Sequence, residues 1–279
     1  MLTSIRGLSA ATLSAGLLFA AAPAFAEEAK TESTAEEAVV LDTASLRAAQ
    51  PVDEARSSNM AEDSEISFSA NVALTSEYRF RGVDLSGGEI AIQGGFDLGH
   101  SSGLYVGTWA SSLDEQTVGY GSTELDLYAG WSGDLTDGLS ADVGAIVYIY
   151  PDAGPGDFDY YEFYGSLSAS IGPASVTGGF AYAPDQDSLG STDNLYFYTD
   201  VGVAIPDTPI TINGHVGYTD GFLTFTNNSK AWDYSIGADF AVGPATLTAA
   251  YVGVEGDAAI DPLGTFTDDA FVLTLSASF

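Results

Sequence analysis

From Ile66 onward the chain alternates. Ile66, Phe68, Ala70, Val72, Leu74, Tyr78 and Phe80 are interleaved with Ser67, Ser69, Asn71, Thr75, Glu77, Arg79 and Arg81. A period of two fits a half-apolar strand and no helix face. The same alternation recurs at 90–98, 123–131, 139–149, 161–171, 176–182, 195–205, 210–218, 232–240, 245–251 and 271–279, with a less regular stretch at 104–111. The pattern predicts twelve strands, and Trp109 lies on the one whose apolar face is left open.

The connections between these segments come in two kinds that take turns. Short, turn-rich links fall at 99–103, 133–138, 172–173, 206–209 and 243–244; longer ones run at 82–88, 112–122, 151–157, 184–193, 220–230 and 255–269. Short turns on one side of a membrane and long loops on the other mark outer-membrane barrels. Every proline after Pro23 lies in the N-terminal region or in a connection, as a hydrogen-bonded ladder requires. The fold expected is all-β: a transmembrane, antiparallel, up-and-down β-barrel with short periplasmic turns and longer acidic external loops. A soluble sandwich shares the alternation. It fits less well with the alternating connections and with a polar face that almost lacks Lys, the residue soluble sheets use to protect edges.

The residues before Ile66 read differently. Arg6, an apolar and small stretch over 8–22, and Ala24-Phe25-Ala26 have the order of a cleaved secretory signal, so 1–26 is expected to be a signal peptide. Residues 27–65 hold eleven acids, three bases and no aromatic residue. Such a composition buries too little to offset chain entropy, and a disordered periplasmic tail is expected there. The barrel domain then covers 66–279. Beyond Ala26 no run of about 18 apolar residues occurs, so any membrane crossing has to be made by a closed sheet.

Charge narrows the partners. The chain carries 7 Lys plus Arg against 39 Asp plus Glu, a net charge of −32, which repels phosphate and argues against nucleic acid. With no Cys and only His100 and His215, thiolate chemistry is excluded and imidazole chemistry is confined to two positions. No catalytic motif appears. A barrel hydrolase needs a His and a Ser on adjacent strands near the outer rim, and His215 has inward parity. The loop acids lack the spacing of a calcium loop, and no cofactor or metal is called for.

If the apolar set meets lipid, the opposite set lines a lumen. Its charged members include Glu77, Arg79, Arg81, Glu89, Glu124, Asp126, Asp142, Glu162, Asp200 and Asp239, mostly anionic, and a low-dielectric wall focuses such a field to favour cations. Arg79 and Arg81, two apart on one strand, would share a face. With Glu124 and Asp126 they make either a local constriction or a plug of salt bridges. Tyr128, Tyr148, Tyr164, Tyr196 and Tyr198 also fall on the lumen parity. They offer flat faces to solutes, but in a narrow barrel they fill it, leaving a small pore.

Two sets of residues carry a resemblance. The end, DAFVLTLSASF, alternates to a terminal Phe and looks like the C-terminal assembly signal of outer-membrane barrels, with Phe271, Leu273, Leu275 and Phe279 as its apolar positions. The runs NVALTSEYRFRGVDLS, GGFDLGHSSGLYVGTWAS and ELDLYAGWSGDLTDGLSADVGAIVYIYP resemble the TorF-type porins, formerly a family of unknown function, over about 67–279. Ser76, Tyr78, Phe80, Arg81 and Gly82 match its S-x-Y-x-F-R-G pattern; Gly87 stands where Gln is often found. The resemblance implies a Gram-negative outer-membrane barrel with channel activity and supplies no substrate or functional residues. The partners expected are outer-membrane lipids, the barrel-assembly machinery and small hydrophilic solutes or cations, with homo-oligomers left open. The alternative functions are a plugged structural or adhesin-type barrel acting through its loops and, further off, a lipid hydrolase.

Overall fold

The computed structural model describes residues 65–279, apart from 118, 155, 157 and 258–265. The expected signal peptide and acidic tail lie outside the described residues. The strands are β1 (Ile66–Thr75), two short ones, β2 (Arg79–Phe80) and β3 (Val83–Asp84), then β4 (Ala91–His100), β5 (Leu104–Ser112), β6 (Thr123–Thr136) and β7 (Leu139–Ile149). They continue as β8 (Tyr160–Ile171), β9 (Ala174–Gln186), β10 (Thr192–Ala204), β11 (Ile210–Gly221), β12 (Lys230–Val242), β13 (Ala245–Gly256) and β14 (Ala270–Ser278).

Twelve of these close into one antiparallel barrel, each strand pairing with its neighbours in the chain and β14 returning to β1. At the seam Asn71 faces Ser278, Phe279 N donates to Ala70 O at 2.8 Å, and Ala70 N donates to Phe279 O at 3.0 Å. Closure pairs both edges of each of these twelve strands, the condition for a sheet surrounded by hydrocarbon. The twelve predicted strands are the twelve observed, so the sandwich alternative falls.

Burial runs opposite to that of a water-soluble protein. Phe271 (81% exposed), Leu273, Leu275 and Phe279 point outward from the last strands, as do Phe68, Ile92, Leu127 and Phe163 elsewhere, while Asp126 and Glu162 are fully buried inside. Period-two alternation in a closed sheet has only these two destinations. Trp131, whose indole donates to Ser102 O at 2.9 Å, sits beside a short turn, and Trp232 lies outward near the long-loop end. Trp109 points inward, edge-on to Tyr78 with ring centroids 5.6 Å apart.

Inside, the tyrosines find room over glycines. Tyr105 stands across from Gly130, Tyr128 from Gly107, Tyr164 from Gly144 and Tyr198 from Gly179. A Cβ at these glycines would run into the ring opposite, so the small residue and the large one form one packing unit. Tyr128, Tyr148, Tyr164, Tyr196 and Tyr198, the tyrosines expected on the lumen face, are all buried.

One predicted element is corrected. The alternation continues through Tyr78 and Phe80, but β1 stops at Thr75 and residues 76–86 turn into the barrel. Thr75 Oγ1 donates to Glu77 O at 2.9 Å, Tyr78 N donates to Ser86 Oγ at 2.8 Å, and Leu85 N donates to Tyr78 O at 2.8 Å, folding the segment on itself. Its tip is the β2–β3 hairpin, in which Arg79 faces Asp84 and Phe80 faces Val83. The turn residues Arg81 and Gly82 both have positive φ, 49° and 81°, as a tight two-residue hairpin turn requires. Tyr78 and Phe80 are therefore inside the barrel and not on its apolar exterior, because they belong to a turned segment and not to the wall.

Candidate functional site

The hairpin enters from the long-loop end, since it connects the end of β1 to the start of β4. Val83, Asp84, Leu85 and Ser86 are buried among wall residues. Phe80 packs edge-on against Tyr148 of β7, centroids 5.8 Å apart, and Asp84 N donates to Phe266 O at 2.8 Å. Asp84 ties the segment internally by accepting from Ser86 N at 2.8 Å and Gly88 N at 2.7 Å. Burial raises the Asp84 carboxyl above its usual range despite these donors. Glu77 is raised too, by burial that its ion pair with Arg79 only partly offsets.

The two arginines part company. Arg79 pairs with Glu77 and donates to Gly82 O at 3.0 Å and to Asp268 O at 2.6 Å. Arg81 crosses to the opposite wall, where Nη2 meets Glu162 Oε2 of β8 at 2.6 Å and the guanidinium carbon lies 4.3 Å from the centre of the Tyr196 ring. The constriction expected from Arg79 and Arg81 with Glu124 and Asp126 is thus corrected in its partners. The arginines sit on a hairpin and its turn, so they do not share a strand face. Glu124 is bound by tyrosine hydroxyls, Tyr78 at 2.8 Å and Tyr150 at 3.1 Å. Asp126 is buried with neither oxygen hydrogen-bonded. Glu89, expected in the lumen, is exposed in the connection before β4.

Nearer the short turns lies a second layer of acids. Asp97, Asp142, Asp200 and Asp239 stand within one turn-proximal stretch of β4, β7, β10 and β12, and all are buried on the inner face. Tyr128 donates to Asp97 at 2.5 Å, Tyr105 to Asp142 at 2.8 Å, and Thr248 and Asn213 to Asp239 at 2.6 and 2.9 Å. The lumen tyrosines therefore do two things: they fill space and they solvate carboxylates that water would otherwise solvate.

His215 lies between two acids. Nδ1 is 2.5 Å from Asp200, and Nε2 is 2.8 Å from Asp233 and 3.0 Å from the Tyr196 hydroxyl. Ser235 stands directly across from His215 on β12, yet its Oγ has no hydrogen-bond partner. Both ring nitrogens are engaged elsewhere, so the arrangement does not activate that hydroxyl. In the loops, Asp152 is held below its usual range by hydrogen bonds from Ser122.

The sites missed in sequence are the hairpin contacts. Val83, Leu85, Phe225 and Phe266 join the inner cluster, and Phe225 and Phe266 come from connections whose sequences show no period. The one signal available was Arg81-Gly82 followed by Val83-Asp84, a turn dipeptide between two short alternating stretches.

Residues 59–279 match the family described as "Bacterial protein of unknown function (Gcw_chp)". That description carries no TorF name, so the narrower resemblance rests on the motifs alone. No curated protein matches the sequence. Among solved structures, the KdgM porin in complex with disordered oligogalacturonate superposes with a TM-score of 0.51 at 9% identity, covering 76% of this chain and 99% of that one. The NanC porin superposes with a TM-score of 0.51 at 10% identity, over 76% and 99% of the two chains. At such identities the shared property is the fold: a closed twelve-stranded porin-like barrel.

Proposed function

Because the chain belongs to the bacterial Gcw_chp family, which is defined without an activity, we propose from its geometry that it is a narrow outer-membrane channel. It passes small hydrophilic solutes passively and prefers cations. The observation that carries this reading is the inverted barrel, apolar outside and lined inside with carboxylates. A surface of that kind is stable only against hydrocarbon, and a low-dielectric wall concentrates the field of the acids within. The two porin folds above support the class of protein; what they bind remains a property of theirs.

The inward-turned segment of residues 76–86 sets the bore. It fills much of the lumen at the long-loop end, so the conductance expected per barrel is small. A second reading, a plugged barrel acting through its external loops, is favoured by the same hairpin. Reconstitution into a planar bilayer under a salt gradient separates them. A cation-selective reversal potential is the result expected; no conductance above a lipid-only control sinks the channel, and an anion-selective potential sinks the charge argument alone. The reading is non-enzymatic, in keeping with a His215 whose two nitrogens face acids. Phospholipid hydrolysis abolished by His215→Ala would overturn it.

A further inference from the structure

Arg81 is held as a protein holds a ligand. It is 2% exposed, pairs with Glu162 at 2.6 Å, and lies with its guanidinium carbon 4.3 Å from the centre of the Tyr196 ring. The wall supplies the receptor and the hairpin tip supplies the guest. Tyr148 donates to the same Glu162 oxygen at 3.1 Å and stands directly across from Asp126 on β6.

The receptor is not saturated by this guest. Glu162 Oε1 and both Asp126 oxygens are buried without a hydrogen-bond partner, and so are Nε and Nη1 of Arg81. Glu124, Asp126 and Glu162 are three buried acids of this wall, and Arg81 pairs with one of them, Glu162. Buried carboxylates in that condition are costly unless a cation or donor reaches them. Among the described residues no group of three His, Cys, Asp or Glu is placed to hold a metal ion. A planar, weakly hydrated cation suits the aromatic face and the paired oxygens better than a compact hydrated one.

We infer that Asp126, Glu162, Tyr148 and Tyr196 form a binding site for small guanidinium-bearing solutes, of which Arg81 is a tethered occupant. Free solute competes with Arg81 at Glu162 and takes up the unused oxygens of Asp126. The inference deepens the channel reading by naming a solute class, while the binding step itself does not depend on passage.

The test uses the full chain in detergent micelles, with calorimetric titration of guanidinium chloride at low millimolar concentration and sodium chloride as the control. Arg81→Ala empties the site and is expected to bind guanidinium about tenfold more tightly than the wild type. Asp126→Asn, which keeps the Arg81–Glu162 pair, is expected to weaken wild-type binding several-fold, and Arg81→Ala combined with Glu162→Gln to lose the gain. Should Arg81→Ala fail to fold, Arg81→Lys replaces it, with an intermediate gain expected because the ammonium lacks the planar fork. Equal binding of guanidinium and sodium, or no gain on emptying the site, overturns the proposal. Bilayer conductance is read in parallel. Binding without conductance refutes the channel and leaves the site; conductance without binding does the reverse.

Discussion

Arg81 concentrates the physics of the inner wall in one side chain. It adopts a positive φ of 49°, which costs a non-glycine residue about 1–2 kcal/mol, and it is buried where an unpaired charge would cost more. Its pairing with Glu162 and its place over Tyr196 offset both. Glu162→Ala removes the counter-charge and is expected to destabilise the barrel by about 3–5 kcal/mol, read from denaturant unfolding in lipid vesicles; an unchanged midpoint would show that the pair is dispensable. Gly82 beside it has a φ of 81°, and a Cβ there would come within 2.8 Å of Gly253 O and Val254 Cβ. Gly82→Ala is therefore expected to push the hairpin away from β13 and raise single-barrel conductance. Conductance equal to the wild type would mean that the tip does not set the bore.

The segment between β1 and β4 was the least legible element, and the reason is physical. Tyr78 and Phe80 keep the period of the preceding strand, and alternation reports that successive side chains point apart without saying where the backbone goes. The direction was set by contacts distant in sequence: Phe266 O receiving Asp84 N, Glu162 receiving Arg81, Asp268 O receiving Arg79. The wall does not depend on this insertion, since β1 and β4 pair along their whole length from Ile66 with His100 to Thr75 with Ala91. Replacing residues 77–88 with a short Gly-Ser linker is thus expected to leave a folded barrel whose conductance rises several-fold in planar bilayers. A silent barrel would place the obstruction in the tyrosine layers below.

For the molecule as a whole, closure is the event that gives every strand its environment. The last strand completes it, with Phe279 bonded to Ala70 through both backbone groups and its ring 68% exposed outward. We propose that Phe271, Leu273, Leu275 and Phe279 present the apolar signal read during assembly, because all four point away from the lumen. Deleting Phe279 is expected to lower the amount of barrel recovered in the outer membrane while leaving the conductance of each inserted barrel unchanged. Normal recovery would remove the assembly role.

Alternation, connection length and the placement of proline were enough to count the strands, to set the inner and outer faces of all but the strand at 104–111, and to bring Glu124, Asp126, Asp142, Glu162, Asp200 and Asp239 to the inside. These are local properties, because the pleat has a period of two whatever lies opposite. Partners are a different matter. That Glu162 meets Arg81, that Glu124 is bound by Tyr78 and Tyr150, and that the Asp126 carboxylate is left without a hydrogen bond depends on which strands the barrel brings face to face. Curvature, stagger and one inward-turned hairpin decide that, and none of them leaves a period in the chain.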